Sequence, residues 1–478
     1  MRLALRLASR GCGQTSPNPM VGAVLVKSGR VIGRGWHHRA GQPHAEIEAL
    51  DDAARRGRSV RGATLYVTLE PCCTAGRTPP CTEAITRSGI ARVVAAATDP
   101  NPHHAGRGFE LLRQAGVKVG HGVLAEEAAR LNESFNHWIV ERMPFVTVKA
   151  AMTLDGKIAA ATGESKWITG AIARRHAMQL RLGADAILVG VNTVLADDPG
   201  LTARGAPRPR HGPEGDVGIR SVRTLHLLRS PPHARQSPLT PSRSHPMGEG
   251  APPCGTGEGD GLAHPTDSPG GAGARASSAP VKPIRRLVLD ARARTPLDCR
   301  LVSDPWAAWT TVYVGPMAPE HRRDALARRV NVVVAPEVMP RSGVRGPRHR
   351  VAGQSACRPK LDLNWILRQL GREEVTALLV EGGGEIHASL FESGLVQRVA
   401  FYYAPKVLGE AAGRKAVAGA GFGDWPAVVS LRDIEWGRMG TDLLLTARVG
   451  PVHLEVVDGN RVCAASGHAA CSRSPHAL

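Results

Sequence analysis

Several features that mark particular classes of protein are scarce or absent in this chain. Aromatic residues make up only 4% of its 478 residues. No run of about 18 apolar residues occurs, so we expect no membrane-spanning helix. The first ten residues lack acids but are too short, and too often interrupted by arginine, for a secretory signal. Their leucine and alanine periodicity instead favours the first helix of the fold.

Acidic residues are fewer than basic ones. The chain has 42 Asp and Glu residues and 61 Lys and Arg residues, which gives a formal net charge of +19. Such a balance can indicate nucleic-acid binding. The basic residues are nevertheless spread along the chain without interleaved aromatics, and the one dense stretch, residues 341–360, is typical of a solvated loop. We therefore expect neither a nucleic acid nor a membrane as partner. A zinc-stabilised nucleic-acid-binding module is the weaker alternative.

Cysteine usage argues against a disulfide-stabilised secreted protein. The nine cysteines are an odd number scattered over a large chain, and a reduced, cytoplasmic protein is the simpler interpretation. Only Cys72, Cys73 and Cys81 cluster in the sequence.

Strand-like and helix-like segments alternate in two parts of the chain, which indicates two α/β domains. In the first, residues 1–143, we predict helices at 46–56 and from Pro79-Pro80 onward, since proline is tolerated in a first helical turn. Its predicted strands are 21–26, 31–35, 64–68 and 92–97.

The second predicted domain covers residues 144–449 and follows a short linker at 141–144. Helices are predicted at 172–182 and 319–329. Its predicted strands are 145–149, 186–190, 286–290, 309–314, 377–381 and 398–404. Residues 205–280, rich in proline, glycine and serine, are predicted to be a disordered insertion, and residues 450–478 a flexible tail.

The pattern of His44 and Glu46, then Pro71-Cys72, then Cys81 is the most informative in the chain. Zinc nucleobase deaminases carry His-x-Glu followed by Pro-Cys-x-x-Cys, and here the second cysteine comes nine residues after the first. A catalytic zinc takes three protein ligands and keeps one position for water. We predict that His44, Cys72 and Cys81 bind zinc, which converts water to hydroxide. Glu46 would move protons from that water to the departing amine.

A closed structural zinc site, with Cys73 as fourth ligand, is the alternative. Adjacent cysteines rarely both reach one tetrahedral metal from a single turn. A structural site would also have no use for Glu46, so the pattern favours a catalytic metal.

A second group of residues has the chemistry of a nucleotide site. The run Gly382-Gly383-Gly384 follows a predicted strand and can expose backbone N–H groups to a phosphate at a helix N-terminus. It is not the Gly-x-Gly-x-x-Gly fingerprint of the Rossmann fold. Arg181 and Arg204 can clamp a sugar phosphate. Taken singly, each feature is more typical of a plain turn or a surface arginine.

Ten segments, taken in order, carry a closer resemblance. In the first part they are Thr15-Ser-Pro-Asn-Pro-Met-Val-Gly22, Pro43-His-Ala-Glu46, Thr68-Leu-Glu-Pro-Cys72, Gly76-Arg-Thr-Pro-Pro-Cys81 and Asp99-Pro-Asn-Pro102. In the second they are Lys149-Ala-Ala-Met-Thr-Leu-Asp-Gly-Lys157, Ser165-Lys-Trp-Ile-Thr169, Ala184-Asp-Ala-Ile-Leu-Val-Gly190, Thr193-Val-Leu-Ala-Asp-Asp-Pro199 and Val380-Glu-Gly-Gly-Gly384. Over residues 1–204 and 281–449 the chain resembles the bifunctional riboflavin-biosynthesis enzymes, a pyrimidine deaminase fused to a pyrimidine reductase.

The resemblance implies an α/β fold with a cytidine-deaminase-like three-layer domain followed by a dihydrofolate-reductase-like domain. It implies hydrolytic deamination of 2,5-diamino-6-(5-phosphoribosylamino)pyrimidin-4-one with one Zn²⁺ per deaminase domain. Reduction of the ribosyl group to ribityl by NADPH would follow. The implied ligands are small pyrimidine ribosyl phosphates, and the implied assembly is a homo-oligomer formed through the reductase domain.

The resemblance also implies individual contacts, although no general acid for the reduction. The implied cofactor contacts are Ala151, Trp167, Thr193, Asp197, Gly383, Gly384, Glu385, Ile386, His387, Ala388 and Ser389. The implied substrate contacts are Asn18, Ser165, Arg181, Leu201, Arg204 and Glu381.

The chain departs from the family pattern beside the first zinc cysteine. The family carries a histidine two residues after that cysteine, where this chain has Thr74 followed by Ala75. A reductase whose degenerate deaminase domain serves only as a scaffold is therefore a further alternative. The insertion at 205–280 matches nothing in the family pattern.

Overall fold

A computed structural model describes residues 1–75, 79–203, 283–339, 359–409, 411–419 and 428–450. These residues belong to one compact unit. The predicted insertion, the implied contact Arg204, residues 341–358 of the basic stretch and residues 451–478 of the predicted tail lie outside the described residues. None of the described helices combines the length and apolar character needed to cross a bilayer.

The N-terminal part of the chain forms a five-stranded sheet. Its strands are β1 Gly22–Lys27, β2 Arg30–Trp36, β3 Thr64–Leu69, β4 Arg92–Ala97 and β5 Lys118–Gly120. Their spatial order is β2-β1-β3-β4-β5. Strand β1 is antiparallel to both β2 and β3, whereas β3, β4 and β5 run parallel. The helices of this part are α1 Arg2–Ala8, α2 Ala45–Arg55, α3 Cys81–Arg87, α4 Arg107–Gln114, α5 Ala125–Leu131 and α6 Glu133–Glu141.

This sheet lies between two layers of helices, because successive side chains of a strand point to opposite faces. Val24 of β1 packs with Leu7 of α1, whereas Leu25 packs with alanines of α2. Two glycines of β2 allow α2 to lie close to the sheet. A Cβ added at Gly33 or Gly35 would come within 2.3 Å of a backbone oxygen of α2. This close packing fixes the helix that begins beside His44.

The C-terminal part forms a nine-stranded sheet and two small strand pairs. The strands are β6 Phe145–Thr153, β7 Lys157–Ala159, β8 Ala186–Gly190, β9 Arg285–Leu289, β10 Thr310–Val314, β11 Asn331–Val334, β12 Glu337–Val338, β13 Lys360–Leu361, β14 Ala377–Val380, β15 Arg398–Ala404, β16 Arg414–Lys415, β17 Leu431–Met439 and β18 Asp442–Val449. The large sheet has the order β11-β10-β9-β8-β14-β6-β15-β18-β17. It is parallel from β11 to β15, and β18 and β17 add an antiparallel edge.

Helices cover both faces of the parallel region, whose strands therefore carry mainly apolar side chains. These helices are α7 Ala171–Leu182, α8 Val191–Asp197, α9 Arg300–Ser303, α10 Glu320–Ala327, α11 Leu363–Arg372 and α12 Gly384–Glu392. Leu188 of β8 packs in one core with residues of α11 and α12. Its neighbours Ile187 and Val189 pack in a second core with residues of α8, α9 and α10.

Polar contacts join the two sheets. The Asp185 carboxylate, just before β8, accepts hydrogen bonds from the Ser16 hydroxyl at 2.7 Å and from the Thr376 backbone N–H at 2.9 Å. The Trp138 indole of α6 donates to the Gly371 carbonyl of α11 at 2.8 Å. Because these groups are buried or half-buried, each contact replaces water that both parts would otherwise bind.

The predicted strands and helices are confirmed, and each begins within two residues of its predicted position. Strand β6 is longer than predicted and continues to Thr153. The β17–β18 hairpin was missed, since β17 carries mostly half-buried or exposed side chains and shows little apolar alternation. The first ten residues do form the first helix, α1.

A buried carboxylate, Glu70, organises the loop that follows β4. Glu70 Oε2 accepts backbone hydrogen bonds from Asp99 at 3.1 Å and Gly106 at 2.9 Å. Its Oε1 accepts from Gly108 at 2.8 Å and Phe109 at 3.4 Å, at the start of α4. Because Glu70 lies two residues before Cys72, it ties this loop to the segment that carries a predicted zinc ligand.

Replacing Glu70 by glutamine should destabilise this region. The amide has a single acceptor oxygen, so two of the four N–H donors would face an NH₂ group and remain unpaired. Each unpaired buried donor costs about 1–3 kcal/mol. We expect the thermal unfolding midpoint of Glu70→Gln to fall by at least about 5 °C, measured by circular dichroism.

Glu83→Gln is the matched control, because the Glu83 side chain is 61% exposed and, among the described residues, pairs with Arg87 of its own helix. Its midpoint should stay within about 1 °C of the original protein, as for most surface substitutions. Equal midpoints for Glu70→Gln and Glu83→Gln would refute the anchoring role.

Candidate active sites

Three side chains with metal-ligand chemistry meet where two helices begin. His44 is the N-cap residue of α2, Cys81 is the first residue of α3, and Cys72 follows β3. Their ligand atoms all lie within 4.8 Å of one another. The structure thus brings the three predicted zinc ligands together.

The distances suit a tetrahedral zinc ion. His44 Nδ1 lies 3.5 Å from Cys72 Sγ and 3.3 Å from Cys81 Sγ. With Zn–S bonds near 2.3 Å and Zn–N bonds near 2.0 Å, a ligand sulfur and nitrogen are separated by roughly 3.5 Å. In the described part of the chain the cluster has these three members. A fourth tetrahedral position is therefore left for water, as in catalytic zinc sites.

Cys73, the fourth ligand of the structural alternative, is not a member of this cluster. Burial raises the pKa of its thiol, and the neighbouring charges that act on it are those of Arg107, Glu70 and Cys72. Cys73 thus lies toward the Glu70-bound loop, and the arrangement favours the catalytic interpretation of the metal site.

Mutual contact and burial set the protonation of the site. A hydrogen bond from the Cys81 thiol, aided by His44, lowers the pKa of Cys72 to about 4 despite burial. The same contact and burial raise the pKa of Cys81. Burial, with the charge of Cys72, raises the pKa of Glu46 to about 7. A carboxyl group that exchanges its proton near neutral pH is well suited to general acid–base catalysis.

Glu46 lies in the first turn of α2, and its side chain is 3% exposed. Its carboxyl group contacts the Cys81 thiol. The predicted proton carrier is therefore buried beside the metal cluster and is not a member of it.

His37 is a residue of this site that sequence reasoning missed. Its Nδ1 lies 3.0 Å from the Pro43 carbonyl, which can only accept, so Nδ1 carries the proton. Nε2 then accepts a hydrogen bond from the Asn18 amide at 3.1 Å. Burial lowers the pKa of His37, in keeping with a neutral ring. The ring packs edge-on against His44, with centroids 5.3 Å apart. His37 is one of two adjacent histidines after a strand, and this pair gave no signal in the sequence.

Asn18, an implied substrate contact, is thus oriented beside the metal cluster, and donation to His37 leaves its amide oxygen free to accept. Thr74, where the family has a histidine, is exposed, and its hydroxyl oxygen lies 2.8 Å from Nε2 of His104. Its neighbour Ala75 is also exposed.

In the second sheet, two strand–helix turns meet at one edge. Strand β8 leads through Gly190 into α8, and its parallel neighbour β14 leads through Gly382 and Gly383 into α12. A Cβ added at Gly382 would lie 3.1 Å from the Gly190 nitrogen. A Cβ added at Gly383 would lie 3.9 Å from Thr193 Oγ1, its nearest neighbour. The implied cofactor contacts Thr193 and Gly383 are therefore adjacent.

The local geometry fits the phosphates of a dinucleotide. The N-terminus of α12 presents unpaired backbone N–H groups and the positive end of the helix dipole. Gly383 leaves space there that a side chain would fill. Farther along α12 the side chains of His387 and Ala388 are buried, and His387 Nδ1 lies 2.8 Å from the Ala416 carbonyl.

Glu381, the first residue after β14, forms a bidentate ion pair with Arg181 of α7. Arg181 Nε and Nη2 donate to the two carboxylate oxygens at 2.7 and 2.8 Å. Burial alone would raise the pKa of Glu381, but Lys149 and Arg181 lower it overall. Lys149 Nζ lies 3.8 Å from Glu381 Oε2. In the sequence Lys149 was only the first residue of a motif, and no role was predicted for it. Arg181 Nη1 also donates a hydrogen bond to the Thr202 carbonyl at 3.0 Å.

The other implied reductase contacts are placed as follows. Asp197 at the end of α8 pairs with Lys166 at 3.9 Å, which brings the segment of Ser165 and Trp167 near α8. Leu201 is buried in the second core. Ala151 of β6 packs on the face that carries Tyr402. The contacts of Ser389 include the Lys360 ammonium, which donates to its hydroxyl at 3.0 Å.

Comparison with known proteins relates both parts of the chain to one family. The cytidine and deoxycytidylate deaminase zinc-binding region matches residues 1–97, and the RibD C-terminal domain matches residues 144–445. Over 445 residues the chain is 36% identical to the riboflavin biosynthesis protein RibD of Actinobacillus pleuropneumoniae, covering 93% of each chain. It is 35% identical over 409 residues to RibD of Escherichia coli strain K12, covering 86% of this chain and 88% of that protein.

Solved structures give the same result. Acinetobacter baumannii RibD superimposes with a TM-score of 0.66 and 28% identity over 94% of this chain and 98% of that chain. A second match is a Thermotoga maritima diaminohydroxyphosphoribosylaminopyrimidine deaminase/5-amino-6-(5-phosphoribosylamino)uracil reductase. It superimposes with a TM-score of 0.64 and 29% identity, over 94% of this chain and 97% of that chain. The expected fold, a deaminase-like part followed by a dihydrofolate-reductase-like part, is confirmed. The chain therefore belongs to the RibD family of riboflavin-biosynthesis proteins and combines a zinc-dependent deaminase with an NADPH-dependent reductase.

Proposed function

We propose that the deaminase acts on 2,5-diamino-6-(5-phosphoribosylamino)pyrimidin-4-one, and that its site lies within residues 1–143. The observation that carries this proposal is the buried Glu46 beside a three-membered ligand cluster. His44, Cys72 and Cys81 would hold the zinc. When bound, zinc lowers the pKa of water toward neutrality.

Glu46 is the proton carrier of this reaction. Water supplies the oxygen that forms the new bond to the ring carbon, and the bond from that carbon to the exocyclic nitrogen breaks. Glu46 accepts a proton from the water and delivers it to the leaving nitrogen, which departs as ammonia. A carboxyl pKa of about 7 lets the same group act as base and then as acid.

Asn18 and His37 position the pyrimidine. The His37 ring, held by the Pro43 carbonyl, fixes the Asn18 amide through its nitrogen. The Asn18 amide oxygen would then accept a hydrogen bond from a pyrimidine N–H. This arrangement supports an active deaminase over a degenerate scaffold domain.

The reductase site lies within residues 144–449. NADPH supplies the hydride that converts the ribosyl group to ribityl. Gly383 and the first turn of α12 would hold the cofactor phosphates, with Thr193 beside them and the segment of Ser165 and Trp167 across from α8. Glu381, kept ionised by Lys149 and Arg181, is available to accept hydrogen bonds from sugar hydroxyls. The remaining N–H donors of Arg181, with Arg204, would face the sugar phosphate.

The assembly we propose is a homo-oligomer formed through the β17–β18 hairpin. Ile434 and Trp436 are 52% and 56% exposed, and Leu443 is 43% exposed. The strand register places Trp436 and Leu443 on one face of this hairpin at the edge of the sheet, and Ile434 lies two residues before Trp436 on the same strand. An exposed apolar group of this kind is typical of an interface. The free thiols of Cys72 and Cys81 suit a reducing compartment, so we place the enzyme in the cytoplasm.

Glu46→Gln should abolish ammonia release, because the amide keeps the shape of the side chain but cannot carry a proton. We expect a loss of at least about 10²-fold in kcat, measured with the diaminopyrimidine substrate. Zinc content, and NADPH oxidation with the deaminated substrate, should not change.

The control Glu48→Gln removes a half-buried carboxylate two residues away and should retain kcat. Cys72→Ser should lose the zinc together with the deaminase activity. Ammonia release by Glu46→Gln at the original rate would show that Glu46 has no part in proton transfer.

Gly383→Val should weaken cofactor binding without harming the fold, since the added Cβ meets no atom closer than 3.9 Å. We expect KM for NADPH to rise at least about tenfold, because the branched side chain would fill the space next to the helix N-terminus. Steady-state NADPH oxidation measures this. Gly120→Ala, also free of clashes, is the control, and an unchanged KM for Gly383→Val would place the cofactor elsewhere.

Trp436→Glu should dissociate the oligomer, because a buried unpaired charge at an interface costs several kcal/mol. Light scattering should then give a mass near the 50.6 kDa of one chain, against a multiple of it for the original protein. The control Trp306→Glu, at a tryptophan 48% exposed elsewhere, should keep the larger mass. A single-chain mass for the unmodified protein would contradict the proposed interface.

A further inference from the structure

An exposed tryptophan in the second part of the chain is held by two cationic side chains. Trp167 lies shortly before α7, and its side chain is 66% exposed. The first cation is Arg174 of α7, whose guanidinium lies over the indole at 4.6 Å from the ring centroid. Arg174 Nη1 also donates to the Thr169 carbonyl at 2.5 Å. Arg174 therefore covers one face of the indole and fixes the backbone beside it, while much of the ring remains open to a ligand.

The second cation is Lys406, whose ammonium donates to the Trp167 carbonyl at 2.9 Å. Lys406 lies two residues after the carboxyl end of β15, which is the parallel neighbour of β6. On the other side of the tryptophan, Lys166 pairs with Asp197 at the end of α8 at 3.9 Å. The tryptophan segment is thus tied both to the end of β15 and to α8, next to the cofactor contacts proposed above.

The segment that carries Lys406 is itself anchored by a carboxylate. The two carboxylate oxygens of Asp155 accept hydrogen bonds from the backbone N–H groups of Leu408 at 3.0 Å and Gly409 at 2.9 Å. The Leu154 backbone N–H donates to the Lys406 carbonyl at 2.8 Å. Residues 405–409 are exposed and lie outside any strand or helix. Asp155 therefore confines a piece of chain that regular secondary structure does not hold.

An ordered, exposed indole is suited to stacking against a flat ring of a ligand. Ser165, an implied substrate contact, precedes Trp167 by two residues. Hydride transfer requires the nicotinamide ring to lie beside the substrate, so nicotinamide is the cofactor ring expected at this indole. A side chain that is already held in place loses little conformational freedom when the cofactor binds, and the affinity is higher for that reason.

We propose that Lys406 and Arg174 are positioning residues that hold the Trp167 indole in place for the nicotinamide ring of NADPH, and that Asp155 positions Lys406. This rests on the cofactor site proposed above. Trp167 touches the cofactor, whereas the other three residues act through it. Two of the many cations of the chain thus serve to order an aromatic side chain and do not bind the cofactor phosphates.

The first test compares two ligands by calorimetric titration of the zinc-loaded, full-length protein. One is NADPH, and the other is 2′-phospho-ADP-ribose, which has the same adenosine and phosphates but no nicotinamide. Lys406→Met and Arg174→Met should each raise Kd for NADPH at least about threefold, because the indole must then be ordered on binding. Kd for 2′-phospho-ADP-ribose should not change. Lys406→Arg keeps a donor and should restore the original Kd, and Arg175→Met, at the exposed next residue of α7, is the matched control.

The second test asks whether these residues act through the indole. Asp155→Asn leaves one acceptor oxygen for two backbone N–H groups, so Kd for NADPH should again rise at least about threefold. Adding Asp155→Asn to Lys406→Met should have little further effect, because both changes remove the same contact. Trp167→Ala should raise Kd for NADPH about tenfold. In the Trp167→Ala background, Lys406→Met and Arg174→Met should have no effect, since the side chain that they position is gone.

Three results would overturn the proposal. An unchanged Kd for NADPH in Trp167→Ala would show that the cofactor site proposed above is wrong, and this inference with it. If Trp167→Ala weakens NADPH binding but Lys406→Met and Arg174→Met bind NADPH as the original protein does, the positioning role alone is refuted. Equal losses of affinity for NADPH and 2′-phospho-ADP-ribose in Lys406→Met and Arg174→Met would show a general structural defect and no role at the nicotinamide ring.

Discussion

Both sites depend on one geometric constraint, the meeting of chain segments at the carboxyl ends of parallel strands. Parallel strands all end at the same edge, so the loops that follow them are brought together whatever their distance in sequence. In the first sheet, Cys72 follows β3 and His104 follows β4. In the second, Thr193 follows β8 and Glu381 follows β14. Helices that start at this edge direct their N-termini toward the same space.

Buried carboxylates stabilise these edges. Glu70 accepts four backbone N–H groups, Asp185 joins the two sheets, and Glu381 receives Arg181 and Lys149. A buried carboxylate is stable only because each hydrogen bond that it made with water is replaced by one with a protein group. Some of the relatively few acidic side chains are thus buried, and this contributes to the basic character of the protein surface.

The sequence was sufficient for elements whose signals are local. The buried strands show a periodicity in the sequence, and the structure confirms them. The spacing of His44, Cys72 and Cys81 predicts a ligand set, and the structure brings these three side chains together. The contact of Thr74 with His104 could not be predicted, because it depends on the register of two loops 30 residues apart. His37 was missed for the same reason, since only the fold places it beside His44. The β17–β18 hairpin lacks an apolar alternation, because β17 lies at an edge with one neighbour.

The short strand β8 sets the distance that the pyrimidine intermediate must travel. Asp185 at its amino end touches Ser16, two residues from Asn18, whereas Thr193 follows its carboxyl end. Five residues of extended chain span roughly 16 Å, so the two proposed sites lie toward opposite ends of one strand. With the proposed sites in these places, the deaminated intermediate leaves the first site before it enters the second. Having two catalysts in one polypeptide shortens that search, but it does not prevent dilution of the intermediate into bulk solvent.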